Sequence, residues 1–333
     1  MGNVIASSSP PPAAVPIPLG PSEASPAEES KKPEVSLLSK DPNLINPGPM
    51  EELHRKCKEV FPMTFEGAKF MVNKGISQHF QISHTLNISS VNPAQSGYKF
   101  GANYVGTQQI SPSEAFPILA GDIDPSGTLN GNIIHLLHPR ILGRFVSKIQ
   151  SNKVVGMQGT LDYKGDDFTA SLTAANTDIV NSSGVLVGHY LQSVTKNVAL
   201  GAEIAYQYGP QVPGFHATVI NVAGRYACDQ FTASGTFGAS GVHACYYQKC
   251  SDTLQIGVEM ETNLRMQEST AQIGYQIDLP KANCVFKGMV DTSWTVGATL
   301  EKRLLPMPFT LSLCGQMNQR NGQFRLGCGF ILG

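Results

Sequence analysis

The sequence predicts an all-β fold, a transmembrane antiparallel β-barrel of about 19 strands, preceded by a short helix. Three observations predict it. A hydrophobic period of two runs from Phe65 to Leu332. The alternating runs are about ten residues long, more than soluble sheets use and enough to cross a bilayer at a tilt. The polar phase is made chiefly of Gly, Ser, Thr, Asn and Gln rather than of charged residues.

Bulk composition agrees. Only 15% of residues are charged and 33 are glycine, yet mean hydropathy is −0.09. Uncharged polar residues therefore stand where a soluble domain carries its usual charged quarter. A net charge of −1 offers no basic field for nucleic acid. No stretch supplies the apolar run of a membrane-spanning helix, and the opening residues are expected to form neither a secretory signal nor an Arg-rich transit peptide. The seven cysteines, Cys57, Cys228, Cys245, Cys250, Cys284, Cys314 and Cys328, form no CxxC pair and are expected to be small buried side chains.

Residues 1–49 are rich in Pro, Ser, Ala and Glu with nothing periodic to bury, which predicts a disordered tail. Its start approaches the myristoylation pattern at Gly2 but has Ala6 where Ser or Thr is wanted. Over 50–61 the sequence predicts one helix of about three turns. Pro49 suits its start, Glu51 and Glu52 favour the positive end of the dipole, and Pro62 stops it. Met50, Leu53, Cys57 and Val60 share one face. So short a helix is marginal alone and must pack against something.

Residues 64–333 carry the barrel. About 270 residues, at roughly ten per strand and four per turn, give about 19 strands. The clearest run, Thr253 to Gln267, sets Leu254, Ile256, Val258 and Met260 against Gln255, Gly257, Glu259 and Glu261. In lipid the oily set faces outward, because the opposite phase would put two carboxylates toward hydrocarbon at up to about 2–3 kcal/mol each. Closure also removes the open edges that a bilayer forbids. Two places fit less well. "GFHATVINVAGRY" has no clean phase, and His84 interrupts an oily series; bulges or interfacial positions would account for either.

No catalytic motif is present, neither P-loop, dinucleotide fingerprint nor nucleophile elbow. "GDIDPSGTLNGNI" imitates the start of a calcium loop but has Ile133 in place of the bidentate Glu, so a turn is expected. "HLLH" lacks zinc-protease spacing and the other histidines are scattered; no metal and no cofactor are expected. What remains is a lined hole. Asp162, Glu203, Glu259, Glu261 and Asp278 all fall in the polar phase. They either hydrate a lumen or attract a cationic passenger, and Arg144, Lys148, Lys164, Arg265, Arg303 and Arg325 in the same phase make any acidity patchy.

The segments "EELHRKCKEVFP", "EGAKFMVNKGISQHFQISHT", "YVGTQQISPSEAFPILAGDID", "HACYYQKCSDTLQIGVEMET" and "YQIDLPKANCVFKG" are long and specific. Through them the chain resembles the channel-forming subunit of the mitochondrial outer-membrane protein translocase, the Tom complex, in an animal form. The resemblance implies nineteen strands of the eukaryotic porin superfamily, closed by a parallel pairing of first and last. It places the short helix inside the pore and sends the tail toward the intermembrane space. It implies a passive conduit for unfolded precursor polypeptides; together with the acids of the polar phase, this predicts a cation-preferring bore that holds basic presequences. The implied partners are a central receptor subunit with a single membrane helix, peripheral precursor receptors, small tail-anchored subunits, membrane lipid and a second copy or more of the barrel. It further implies that Arg325, Gly327, Phe330 and Leu332 in the last strand form the barrel sorting signal. The competing expectation is a metabolite porin like the voltage-dependent anion channel, against which the long proline-rich tail and slightly acidic charge speak.

Overall fold

The computed structural model describes residues 46–89, 96–111, 114–151, 153–178, 183–210, 212, 214–239 and 241–333. Residues 1–45, and with them Gly2 and nearly all of the tail, lie outside that set.

Among the described residues nineteen strands form one closed sheet. They are β1 (Gly67–Gly75), β2 (Phe80–Ile88), β3 (Gly97–Ser111), β4 (Glu114–Ile123), β5 (Leu129–His138) and β6 (Ile141–Gln150). Then come β7 (Lys153–Lys164), β8 (Phe168–Asp178), β9 (Ser183–Ser193), β10 (Val198–Tyr208), β11 (His216–Ala227), β12 (Phe231–Gly238) and β13 (Gly241–Lys249). The last six are β14 (Leu254–Asn263), β15 (Glu268–Leu279), β16 (Cys284–Asp291), β17 (Thr295–Leu304), β18 (Phe309–Asn318) and β19 (Gln323–Leu332). Sequential strands pair antiparallel, and β1 closes on β19 in parallel, from Gly67↔Gly327 to Val72↔Leu332. An odd strand number leaves the first and last strands pointing the same way, so the closing pair has to be parallel. Among the described residues no helix is long and apolar enough to cross a membrane.

The two phases of each strand meet different surroundings. Leu200 and Ile204 on β10, Ile220 and Val222 on β11, Met260 on β14 and Ile273 on β15 are all exposed on the outside. Thr160, Asp162, Thr169, Ser171, Thr232, Ser234, Glu259, Thr295 and Thr299 are buried on the inside. An inverted ordering of this kind, oily out and polar in, suits a wall wetted by lipid. Cysteine substitution along β14 in a background without native cysteines should show it directly. Positions 256, 258 and 260 should react with lipid-soluble maleimides and positions 255, 261 and 263 with water-soluble ones; failure to alternate would remove the pore.

The two irregular stretches have specific causes. β11 pairs with β10 and β12 without a register shift. Its phase looks unclean because its inward side is mixed: Ala223 belongs to a buried apolar cluster with Met50, Leu53, Leu191 and Ala199, while Asn221 and Arg225 on the same side make polar contacts inside the bore. His84 sits on the outer face, where its Nδ1 meets the Tyr98 hydroxyl at 2.5 Å and its ring packs on Phe100 at 5.3 Å. The polar intruder is thus satisfied by an aromatic neighbour one strand away. True register shifts fall elsewhere, between β3 and β4, β5 and β6, β6 and β7, and β8 and β9.

Two expectations need correction. The span 50–61 is a 3-10 turn, Met50–Glu52, followed by a single α-turn, α1 (Arg55–Lys58), not one continuous helix. Neither piece has a side-chain N-cap, and His54 between them leaves the helical region at φ −100° and ψ 3°; at the far end Lys287 donates to Glu59 O at 2.6 Å. The cysteines are not uniformly buried. Cys57, Cys245 and Cys314 are, whereas Cys228 and Cys250 lie exposed outside the strands and Cys328 faces outward from β19; all seven are free.

The calcium-like stretch is a turn between β4 and β5, closed by Asp124 N–H to Thr128 O at 3.0 Å and Gly127 N–H to Asp124 O at 3.0 Å. Hydrogen bonds from the Ser126 hydroxyl and backbone N–H hold the Asp124 carboxyl below the usual carboxylate range.

Candidate functional site

Inside the cylinder, residues 46–65 run along the wall and touch inward side chains of many strands. Asn46 donates to the carbonyls of Gly165 and Phe168 at 2.6 and 3.1 Å and accepts from Thr169 Oγ1 at 2.9 Å. Arg225 of β11 donates to Pro47 O at 2.7 Å. Lys287 of β16 donates to Glu59 O at 2.6 Å. The Cys314 thiol of β18 donates to Phe65 O at 3.0 Å. The segment therefore begins against β8 and ends against β18. Gly67, at φ 81°, then turns the chain out of the bore into the wall, where any β-carbon would collide with the Ile88 carbonyl.

The apolar stripe decides which way the segment faces. Met50, Leu53, Cys57 and Val60 are all buried. Met50 and Leu53 pack on Leu191 of β9, Ala199 of β10 and Ala223 of β11. Further along, the wall makes room by omission. A β-carbon at Gly257 would lie 3.3 Å from Cys57 Sγ, one at Gly274 2.6 Å from the Phe61 ring, and one at Gly329 2.9 Å from the Phe65 ring. Inward glycines on β14, β15 and β19 thus form a shallow track that lets the segment lie close against the sheet.

The five candidate acids occupy three kinds of place. Asp162 on β7, 2% exposed, accepts from Arg144 Nη2 at 2.7 Å, and Arg144 Nη1 reaches Glu51 of the inner segment at 2.8 Å. Glu203 on β10 is held by His189 at 3.2 Å and by Asn221 Nδ2 at 3.0 Å. Glu259 on β14 is held by His243 Nε2 at 2.6 Å and Gln272 Nε2 at 2.6 Å, with Lys58 Nζ at 4.0 Å. Asp278 on β15 accepts, among the described residues, only from the neutral Gln276 amide, at 2.9 Å. Glu261 is exposed and makes no ion pair or hydrogen bond among the described residues. Charge is therefore locked into the wall at Asp162, shared at Glu203 and Glu259, and open to the bore at Asp278 and Glu261.

On β19, Arg325 and Gly327 stand opposite Gln316 and Cys314 of β18. Phe330 stacks on Phe70 of β1 at 5.7 Å and packs on Phe309 at 5.0 Å. Leu332 pairs with Val72 across the seam and with Phe309.

The residues that sequence reasoning missed are those that hold the inner segment. Arg144 was visible only as a basic residue of the polar phase, and Ser234, Arg225 and Lys287 carried no signal at all. Their partners lie far away along the chain, and no periodicity connects them. His54, His243 and Cys245 are also brought together, their ligand-capable atoms all within 4.8 Å of one another, although the histidines are scattered in sequence.

Residues 46–327 match the eukaryotic porin family. The mitochondrial import receptor subunit TOM40 homolog 2 of Drosophila melanogaster is 55% identical over 295 residues, covering 89% of this chain and 86% of that protein. The mitochondrial import receptor subunit TOM40 homolog of Xenopus tropicalis is 47% identical over 341 residues and covers 100% of both. Its Homo sapiens counterpart is 50% identical over 290 residues, covering 87% and 79%. With a closed nineteen-stranded wall, a parallel seam and an inner segment lying within it, the chain belongs to the eukaryotic porin family and, within it, to the TOM40 homologues.

Proposed function

We propose that the bore conducts unfolded precursor polypeptides across the mitochondrial outer membrane, prefers cations, and holds basic presequences weakly on their way. Membership among the TOM40 homologues supports the import role. The cation preference is carried by one observation: Glu261 and Asp278 present carboxylates to the bore that no basic side chain among the described residues neutralises. With a Debye length near 8 Å at physiological salt, such charges act over part of a lumen this wide. Gln255, Gln276 and the inward Ser and Thr hydroxyls supply exchangeable hydrogen bonds to a passing backbone. Weak, repeated contacts let a chain enter and leave. The sequence holds no nucleotide motif to drive it, so direction comes from partners outside this chain. Those partners are a central receptor subunit with one membrane helix, peripheral receptors and small tail-anchored subunits, and Arg325, Gly327, Phe330 and Leu332 serve as the sorting signal.

Single-channel recording in a planar bilayer tests the reading. The expected result is greater permeability to K⁺ than to Cl⁻ and a reversible, salt-weakened block by a basic amphipathic presequence peptide. Glu261→Lys should reduce both while leaving the barrel assembled. An open state that prefers anions would favour a metabolite porin instead.

A further inference from the structure

We propose that His54, His243 and Cys245 form a binding site for a Zn²⁺-class ion that clips the inner segment to the barrel wall. The three come from two separate pieces of chain. His54 precedes α1, and His243 and Cys245, two apart on β13, both project inward. One ligand atom from each lies within 4.8 Å of the other two. Tetrahedral zinc wants its donors roughly 3.3–3.8 Å apart, given bonds of about 2.0–2.3 Å, so the cluster has to close by about 1 Å. The Cys245 sulfur is already 3.4 Å from His243 Nε2, and the two imidazoles are 4.2 Å apart between ring centroids.

A second observation points independently to a ligand. His54 Nδ1 is engaged with Ser234 Oγ at 2.8 Å, while its Nε2 is buried with no hydrogen-bond partner among the described residues. A buried ring nitrogen left alone is costly. With Nδ1 donating to the serine, Nε2 carries the lone pair a metal needs, and Ser234 plays the orienting role that outer partners play for metal-bound imidazoles. Ser234 sits opposite Cys245 on β12, so orienter and thiol share one rung of the sheet.

The surroundings suit a cation. Glu259 faces Cys245 across β13 and β14, and its Oε1 reaches His243 Nε2 at 2.6 Å, placing a carboxylate next to the fourth position. The other groups facing the cluster are the Cys57 thiol, which lies in hydrogen-bond contact with the Cys245 thiol and with the carbonyls of Tyr246 and Val258, and Lys58, 4.0 Å from Glu259. Lys58 is the cation that an incoming ion competes with. Binding exchanges the Cys245 thiol proton, and the proton His243 shares with Glu259, for the metal; both protons leave to solvent and nothing is oxidised or reduced. Two imidazoles, one thiolate and one carboxylate are a donor set characteristic of zinc rather than of calcium or magnesium.

The test uses the full chain, reduced, stripped with chelator and reconstituted in nanodiscs, with Co²⁺ as the spectroscopic probe and Zn²⁺ as competitor. One Co²⁺ per barrel should give the visible bands of a tetrahedral ion and a near-ultraviolet thiolate charge-transfer band, both erased by Zn²⁺. Cys245→Ser should abolish the charge-transfer band, and His54→Ala should weaken binding by more than about 100-fold, beyond what loss of an outer partner causes. Cys250→Ser, an exposed thiol outside the strands, should change neither. Cys245→Ser is close to isosteric, and heat-modified gel migration reports whether each variant keeps its barrel. A Co²⁺ spectrum without a thiolate band, or binding that survives both Cys245→Ser and His54→Ala, overturns the proposal. This outcome is independent of ion preference, so a cation-selective pore with no metal would refute the clip alone.

Discussion

Replacing Arg144 with alanine is expected to destabilise the barrel by on the order of 3 kcal/mol, the scale for stripping one partner from a buried ion pair. Asp162 is 2% exposed. Its Oδ2 accepts from Arg144 at 2.7 Å, and its Oδ1 is buried with no hydrogen-bond partner among the described residues. Without the guanidinium, a carboxylate is left in the wall facing neither lipid nor bulk water. The same substitution frees Glu51, so the inner segment loses an anchor near its start. Thermal loss of heat-modified gel migration should fall by several degrees. Asp162→Asn added to Arg144→Ala should restore much of the loss, since a neutral amide costs less to bury than a charge. If Arg144→Ala is neutral, the triad is surface decoration. Arg144→Lys should rescue only partly, because an ammonium cannot reach both carboxylates with the planar fork of arginine.

The second large effect is expected at Leu53, also 2% exposed, which packs among Met50, Leu191, Ala199 and Ala223. Truncating such a side chain costs about 2–5 kcal/mol, and placing a carboxylate there costs more. Leu53→Asp should therefore release the inner segment rather than break the barrel, whose strand ladder does not depend on it. Three readouts follow. Conductance should rise as the bore empties, water-soluble maleimide should reach Cys57, and barrel migration on gels should stay intact. Lys56→Gln, on the exposed face of the same turn, is the control and should leave Cys57 protected. A segment that stays protected in Leu53→Asp would mean the polar anchors from Asn46 to Lys287 hold it without the apolar stripe.

These effects separate what the sequence shows openly from what it conceals. The barrel is legible because lipid and water sort every second side chain, so Leu254 to Asn263 shows its register without reference to any other strand. The strand number follows from length, and the stripe of Met50, Leu53, Cys57 and Val60 announces that the short segment needs a partner. The identity of that partner is not legible. Ala223 and Ala199 look like poor members of an alternating pattern until Leu53 is seen against them, and Gly257 and Gly274 look like filler in the polar phase until Cys57 and Phe61 lie over them. The acids show the same limit. All five share a phase, yet Asp162 is neutralised by Arg144 while Glu261 is open, a difference set by side chains on other strands. His54 and Cys245 lie nearly two hundred residues apart, and no spacing rule reaches across that distance.

The seam between β1 and β19 has a consequence for biogenesis. Six residue pairs, Gly67↔Gly327 through Val72↔Leu332, join the two ends of the sheet, and parallel ladders hold slightly less per residue than antiparallel ones. A nascent chain therefore carries two raw hydrogen-bonding margins until its final residues have emerged, and hydrocarbon tolerates neither. Assembly must be all or nothing with respect to length: a shortened product missing β19 has no stable home in the bilayer, and whatever machinery inserts this protein has to shelter both margins until the last strand arrives.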